Sequence, residues 1–360
     1  MISIIISAIR LGNFFDECME SCLRQTYGDT EIILVTDDGS EDFLRCKEKA
    51  KTDGRIRIVS CDADSSIGTS RNLGLAEAKG EYVCFVDADD MFYDETSLER
   101  MIRSLTVENG DVLLTNYIRK KGDEMIPVVP HGFTEAETTD SVDFRFRAFN
   151  SVGHFSYVWA KLYRREFLEE NAIRFPDSNF GEDKIFNFCV YGARCDLVFS
   201  DQITYVFRMG DETITTQYKD DFKENWEKNA IFFDRYMESR GRKEKYEDLS
   251  AFLMMFTLIF HVRQEYCFGL KAKDFAKVVE RYTTDDYVRS KMEYLVAEKI
   301  CGLIEDISFR TGTDNLSKWI LRKRNEGISW WLERMFDLSI DRKHSDTRGL
   351  DMGITAEMKI

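Results

Sequence analysis

The chain has 360 residues, of which 43% are hydrophobic and 27 are phenylalanine, so it is long enough to bury a substantial core. Its 65 acidic and 50 basic residues give a formal net charge of -15, which disfavours a large nucleic-acid footprint because phosphate backbones attract basic surfaces. The composition indicates a globular protein and excludes nucleic acid as an expected partner.

The N-terminal segment has the pattern of a buried strand. The opening residues, MISIIISAIRLGNFF, lack the basic region of a signal peptide and contain only a short apolar run.

The longest later apolar run, AFLMMFTLIFHV at 251–262, falls short of the roughly 20 residues that a membrane-spanning helix needs. The nine cysteines form no C-x-x-C pair, which is typical of buried free thiols. We therefore predict a cytoplasmic protein without a transmembrane span.

Strand-like and helix-like segments alternate through the first hundred residues. Apolar strand candidates lie at 2–7, 31–40, 56–61 and 81–90, and amphipathic helices are predicted at about 13–25, 43–51 and 68–78. This alternation is typical of a parallel sheet with crossover helices on its faces. In such sheets, ligands bind beyond the carboxyl ends of the strands.

Acidic residues cluster at two of these strand ends. Asp37 and Asp38 follow EIILV, and Asp87, Asp89 and Asp90 follow YVCFV. Because the carboxyl ends of parallel strands share one edge of a sheet, we expect both clusters on the same rim. A divalent cation, which prefers oxygen ligands, would relieve the repulsion among these carboxylates. The alternative is a set of solvated turns, which Asp also favours.

The segment SSIGTSRNLGLAEAKG lies just ahead of the second acidic cluster. Gly68 suits a tight turn, Thr69 or Ser70 is predicted to cap the next helix, and Arg71 then lies in its first turn. Arg71 is a candidate for pairing with phosphate or base edges, the alternative being a salt bridge to a rim aspartate.

A third acidic group and two aromatic residues lie in the second half of this region. In FGEDKIFNF, Glu182 and Asp183 precede an apolar helical pattern. They either stabilise the helix N-terminus through the helix dipole or supply a general base. His154 and Trp159 are candidates for an acceptor pocket, although aromatic residues at such positions commonly belong to the core.

The pattern changes along the rest of the chain. Two more strands are predicted, DVLLTNYI and CDLVFSD, and beyond residue 218 the pattern is helical. We predict a catalytic domain at 1–218, a helical domain at 219–340 and a polar tail at 341–360. Residues 316–336 combine basic residues with tryptophans, which suits peripheral contact with anionic lipid; packing on the catalytic half or on a second subunit is the alternative. The sequence is compatible with both a monomer and a homo-oligomer.

Taken together, these stretches resemble the family 2 glycosyltransferases, inverting nucleotide-sugar enzymes with a GT-A fold. The resemblance covers residues 1–105 closely, through ISIIIS, EIILVTDDGSED and IGTSRNLGLAEAKGEYVCFVDADD, and resumes in VWAKLYRREF, FGEDKIFN and YVFRMGDETIT. It implies an α/β fold, a Rossmann-like and mostly parallel sheet flanked by helices, followed by a helical region. It also implies an enzyme of surface polysaccharide or related glycan synthesis, working in the cytoplasm or at the inner face of the membrane.

The resemblance assigns a nucleotide-binding role to several of these residues. Asp37, with Asp38 as the alternative, would meet the nucleobase, and Arg71 would hold the nucleotide. The family usually carries I-I-P-x-Y-N after its first strand, whereas this chain reads IISAIR, so Ser7 and Arg10 stand where proline and asparagine are usual. Arg10 is either a residue that stacks on the base or binds phosphate, or a surface charge.

The resemblance also assigns the chemistry. Asp89 would contact a Mn²⁺ or Mg²⁺ that bridges the donor diphosphate, Asp87 would approach the ribose, and Asp90 would assist. Asp183 would be the catalytic base, with Glu182 beside it. The implied partners are a nucleotide-sugar donor, first of all a UDP-sugar, and a glycan or lipid-linked acceptor with a free hydroxyl.

Three other functions fit part of the pattern. Phosphatases of the haloacid dehalogenase type place D-x-D-x-T/V on a strand tip, but Met91 stands at the Thr/Val position here. Sugar nucleotidyltransferases carry a glycine-rich, Lys-containing loop after the first strand, which SAIRLGN is not. A non-catalytic module that binds nucleotide-sugar or carbohydrate agrees best with the altered stretch at 7–10.

Overall fold

The computed structural model describes residues 1–129, 139, 141–150, 154–209, 218–269 and 275–298. The chain divides into two compact units, the first made of 1–145 and 152–216, the second of 146–151 and the chain after 216. The assignment of a catalytic domain to 1–218 and a helical domain to 219–340 stays a prediction, because a compact unit does not by itself show an activity.

The first four strands of the first unit form a parallel sheet. They are β1 (Ile2–Ser7), β2 (Thr30–Asp37), β3 (Ile56–Cys61) and β4 (Tyr82–Asp87), with β1 between β2 and β4. The connecting helices are α1 (Phe15–Leu23), α2 (Glu41–Ala50) and α3 (Ile67–Glu77). Strand β1 is a nearly continuous isoleucine run, which suits a central strand covered on both faces.

The sheet continues with strands of mixed direction. After β5 (Met91–Phe92) and α4 (Ser97–Glu108) come β6 (Val112–Lys121), β7 (Glu124–Val128) and α5 (Val142–Asn150). They are followed by β8 (Lys161–Arg164), α6 (Arg165–Glu170), α7 (Glu182–Gly192) and β9 (Leu197–Arg208). The spatial order is β3-β2-β1-β4-β8-β6-β9-β5, with β7 paired to β6. Strand β8 runs antiparallel to both β4 and β6, so the sheet contains strands of both directions beyond β4. The first unit therefore has an α/β fold with a mixed sheet.

The second unit is helical in its described part. Its helices are α8 (Phe222–Ser239), α9 (Lys243–Cys267), α10 (Phe275–Thr283) and α11 (Asp286–Ala297). Over the residues described, no helix has both the length and the apolar character needed to cross a membrane. The segment 316–336 and the tail at 341–360 lie outside the described residues.

Two local predictions differ from the structure. Helix α3 is capped by Ser66, whose hydroxyl accepts from the Thr69 amide at 3.1 Å, and not by Thr69 or Ser70. The helix therefore begins earlier, and Arg71 lies one turn further into it than predicted. The predicted strand at 195–201 extends to Arg208, because it pairs along β6 across a register shift.

Candidate active site

Two strand ends meet where the sequence predicts an acidic rim. Strands β1 and β4 are in parallel register, which pairs Ser7 with Asp87 at their carboxyl ends. The Ser7 hydroxyl lies 2.6 Å from that of Ser70 on α3, so the first turns of α3 close one side of this edge. The carboxylate of Asp87 is therefore presented by a rigid strand beside a helix that carries Arg71.

Arg71 joins two acidic residues that are far apart in sequence. Its Nη2 donates to Asp87 Oδ1 and its Nη1 to Glu182 Oε1, both at 2.7 Å. The side chain is only 7% exposed, and its guanidinium lies 5.5 Å from the ring centre of Phe175. Burial opposes the charge, but the surrounding carboxylates outweigh it and raise the pKa of Arg71. The salt bridge that the sequence left open as an alternative is therefore present.

Glu182 and Asp183 begin helix α7. Burial and the neighbouring Asp183 raise the pKa of Glu182 to about 7, against the opposing charge of Arg71. The buried Oε2 of Glu182 accepts no hydrogen bond from any described residue. Asp183 is half-buried, and burial raises the pKa of its carboxyl although Arg71 acts in the opposite direction. Two adjacent carboxyls with raised pKa values in one site are typical of groups that exchange protons.

A loop at 175–179 fixes the start of α7 against α3. Asn72 holds the backbone of Phe175 from both sides, accepting from its amide and donating to its carbonyl at 2.9 Å each. The Gly68 amide donates to the Ser178 carbonyl at 3.0 Å, and a Cβ at Gly68 would stand 2.0 Å from the Pro176 carbonyl oxygen. Only glycine permits this approach, so Gly68, the second residue of α3, serves close packing and not the predicted tight turn.

The second acidic cluster divides into a buried and an accessible part. Asp90 is buried and accepts from the Tyr205 hydroxyl at 2.9 Å and from the Arg208 amide at 2.7 Å, so its carboxylate is committed to the β4–β9 region. Asp89 is exposed, and desolvation together with Asp87 raises the pKa of its carboxyl, while Arg208 acts against the shift. Asp89 is therefore the most exposed of the three carboxylates in this cluster.

The donor set fits a divalent cation that substrate helps to hold. Over the residues described, no three His, Cys, Asp or Glu side chains are grouped so that the protein alone would cage a metal ion. Mg²⁺ and similar ions are often bound through one or two carboxylates plus substrate phosphates, with water completing the shell. Asp89, with Asp87 beside it, offers such a partial oxygen site. Desolvation first and the charge of Asp87 second raise the pKa of Asp89, and a cation would offset that second contribution.

The residues predicted near the nucleobase lie on neighbouring strand ends and loops. Asp37 ends β2 and accepts from the Gly39 amide at 3.0 Å, while the exposed Asp38 accepts from the Ser60 hydroxyl at 2.6 Å. Arg10 is exposed and has a φ of 64°, a left-handed backbone conformation that is uncommon for arginine.

The two aromatic candidates are core residues. Trp159 is 3% exposed and lies parallel to Tyr205, with ring centres 4.9 Å apart. His154 is buried, with Nε2 3.2 Å from Asn116 Oδ1. Neither side chain has the exposure that a pocket-lining residue needs.

Three residues near the site escaped the sequence analysis: the half-buried Tyr157, the buried Lys161 and the buried Arg208. Tyr157 and Lys161 lie in VWAKLYRREF and its approach, and Arg208 ends β9 in YVFRMGDETIT. No local sequence signal marks Lys161, because β8 joins the sheet only through long-range pairing.

Comparisons of the sequence with a family model and with known proteins all give glycosyltransferases. Residues 3–171 match the family model described as Glycosyl transferase family 2. A Bacillus subtilis protein described as an uncharacterized glycosyltransferase, EpsJ, is 27% identical over 307 residues, covering 82% of this chain and 86% of that protein. The Borreliella burgdorferi cholesterol galactosyltransferase is 30% identical over 215 residues, 57% of this chain and 59% of that protein.

Solved structures agree in fold. The crystal structure of Staphylococcus aureus TarS 1–349 in complex with UDP-GlcNAc superimposes with a TM-score of 0.60 at 17% identity, covering 90% of this chain and 91% of that one. The corresponding complex with UDP gives 0.61 at 19% identity, with the same shares covered. At these identities the likeness shows the fold, which is that of the predicted GT-A class.

Proposed function

Because the chain is a family 2 glycosyltransferase, we propose that it transfers a sugar from a nucleoside-diphosphate donor to a hydroxyl of a glycan or lipid-linked acceptor, with inversion at the anomeric carbon. The family match argues against the phosphatase and nucleotidyltransferase hypotheses that the sequence left open. The observation that carries the proposal is the double ion pair of Arg71, which links the strand-end Asp87 to the helix that presents Asp183.

The nucleotide occupies the carboxyl ends of β1, β2 and β4. Asp37 or Asp38 receives the base, Ser7 and Arg10 line the approach, and Asp87 meets the ribose. UDP is the first nucleotide to test, because the TarS structures that share this fold were solved with UDP-GlcNAc and UDP. A lipid-linked acceptor would bring this enzyme to the inner face of a membrane.

The diphosphate would lie at the second acidic cluster, where Asp89 would hold Mn²⁺ or Mg²⁺ with Asp87 beside it. When bound, the cation neutralises charge that develops on the leaving nucleoside diphosphate. Asp90 assists indirectly, because its hydrogen bonds to Tyr205 and Arg208 hold the strand end that carries Asp89.

Asp183 takes the proton of the acceptor hydroxyl as that oxygen attacks the anomeric carbon. Its raised pKa suits this role, since a general base is most effective when its pKa approaches the working pH. Glu182 positions Arg71, and Arg71 keeps the negative charges of the site balanced.

Release of UDP from UDP-sugars in the presence of acceptor tests the proposal. We expect Asp183→Asn to lower the rate of transfer by about 10²- to 10⁴-fold, the usual contribution of a general base, and to leave UDP affinity unchanged. Asp201→Asn is the matched control, since Asp201 is exposed on β9. Full transfer activity in Asp183→Asn would refute the assignment of the base.

A further inference from the structure

Four aromatic residues of the first unit form a parallel stack. Trp159 lies 4.5 Å from Tyr157 and 5.3 Å from Phe207 between ring centres, at interplanar angles of 17° and 13°. Tyr205, on β9 like Phe207, lies parallel to the same indole. Trp159 and Tyr205 are buried, whereas Tyr157 and Phe207 are half-buried, so these two rings carry the accessible surface of the stack.

The backbone beneath Tyr157 is held by two buried polar side chains. Lys161 Nζ donates to the Tyr157 carbonyl, and Asn187 Nδ2 donates to the same oxygen at 3.0 Å. Asn187 is in turn fixed through its Oδ1, which accepts from the Tyr163 hydroxyl at 2.8 Å. The Tyr157 ring is therefore set on a rigid base, which reduces the conformational entropy lost when a ligand packs on it.

The same amide places Tyr157 beside the proposed base. Asn187 Nδ2 also lies 3.1 Å from the Asp183 carbonyl, so the backbones of Tyr157 and Asp183 meet at one nitrogen. The negative charges of Asp183 and Asp87 both act on the Tyr157 phenol.

An accessible aromatic surface next to carboxylates suits a ligand that has an apolar face and a hydroxyl rim. A pyranose ring has both, because its axial C–H bonds form an apolar patch while its hydroxyls point outward. Carbohydrate of this form would pack on the rings and reach Asp183 with a hydroxyl, whereas an open-chain polyol has no flat face to offer.

We propose that Tyr157 and Phe207 form the binding surface for the acceptor, and that the sugar unit that receives the transferred residue is a pyranose. The proposal rests on the proposed function, because it takes Asp183 as the base. It makes Tyr157 and Phe207 specificity-determining residues for the acceptor and gives them no role in donor binding.

Saturation-transfer difference NMR on the full chain with UDP and Mg²⁺, which is diamagnetic, tests this surface. The probes are methyl β-glucopyranoside, methyl β-galactopyranoside and methyl 2-acetamido-2-deoxy-β-glucopyranoside, with ribitol and glycerol as open-chain comparisons. We expect ring C–H signals from at least one pyranoside, a loss of about fivefold or more in Tyr157→Leu, and retention in Tyr157→Phe. Ribitol and glycerol should give no comparable signal.

The controls separate this proposal from the one on which it rests. Tyr27→Leu removes a half-buried tyrosine from another region of the surface and should keep the pyranoside signals. Calorimetry of UDP with each variant reports donor binding, so absent UDP binding in the wild type would count against the proposed function. With UDP bound, signals that survive in Tyr157→Leu, equal signals from ribitol, or no signal from any pyranoside would overturn the acceptor proposal.

Discussion

At the scale of single residues, the start of α7 places two ionisable carboxyls side by side. Glu182 is buried against Arg71, whereas Asp183 is half-buried and reaches solvent. Both pKa values are raised, first by burial, and the two groups share one electrostatic environment. Protons therefore leave the pair in steps that belong to both residues. This arrangement predicts how transfer should depend on pH.

We expect kcat to fall on acidification through an apparent pKa above the ordinary Asp range, because transfer needs Asp183 ionised and burial favours its protonated form. Glu182→Gln should leave this acid limb nearly in place, because burial and the charge of Asp183 raise the pKa of Glu182 to about 7, so Glu182 is largely protonated where Asp183 ionises. A pH–rate profile of kcat checks this. An acid limb that moves clearly to lower pH in Glu182→Gln would contradict this order of ionisation.

At the scale of elements, the site depends on how α3 and the 175–179 loop fit together. The hydrogen bonds that join them include the Asn72 pair with Phe175, the Gly68 amide with Ser178, and Ser66 with Asp177 at 2.7 Å. The loop leads directly into α7, so the position of Asp183 follows from the packing of a helix more than a hundred residues earlier in sequence.

Gly68→Ala should therefore damage activity from a distance. A Cβ at 2.0 Å from the Pro176 carbonyl oxygen forces the loop to move, and backbone is not easily displaced. We expect a loss of about 1–3 kcal/mol in the free energy of unfolding, together with a lower kcat, because α7 shifts with the loop. Urea unfolding and transfer assays measure both effects.

Gly54→Ala is the matched control for this substitution. A Cβ at Gly54 would meet no heavy atom within 4 Å, so the change should leave stability and transfer near wild type. If Gly68→Ala behaved like Gly54→Ala, the close packing of α3 against the loop would not matter for the site.

The sequence predicts the strands that carry the aspartates of the site better than it predicts the residues that surround them. Continuous apolar runs locate β1, β2 and β4, so the aspartates at their ends could be placed on one edge without coordinates. Strand β8 has four residues and pairs with β4 and β6 only through long-range contacts, so nothing local indicates it. Lys161 begins this strand and Tyr157 lies just ahead of it, and their positions near Asp183 depend on that pairing. The burial of Asp90 was hidden for the same reason, since its partners lie on β9.

At the scale of the whole molecule, the second unit takes in a short piece of the first half of the chain. Residues 146–151 belong to it, although the chain on both sides belongs to the first unit. Within the second unit, the ring of Phe149 lies 4.6 Å from that of Phe252 and 5.3 Å from that of Phe256, between centres. The core of the helical unit thus needs residues from both parts of the sequence.

Phe149→Ala should therefore destabilise the helical unit. Phe149 is 2% exposed, and truncating a buried phenylalanine costs about 3–5 kcal/mol through lost burial and the cavity left behind. Leu44→Ala, at a position 61% exposed, should cost little. Thermal and urea unfolding of both variants measures the difference. Equal stability of the two variants would show that residues 146–151 are not part of this core.

The central claim is that the strand-end carboxylates form a metal-dependent site for a nucleoside diphosphate, and calorimetric titration of UDP with Mn²⁺ and then with EDTA tests it most directly. We expect binding that weakens by about tenfold or more in EDTA, and Asp89→Ala to bind UDP as weakly with Mn²⁺ as the wild type does without it. Asp123→Ala, an exposed turn residue between β6 and β7, should bind as the wild type does. UDP affinity that is unchanged by EDTA, or by Asp89→Ala with Mn²⁺ present, would contradict the account.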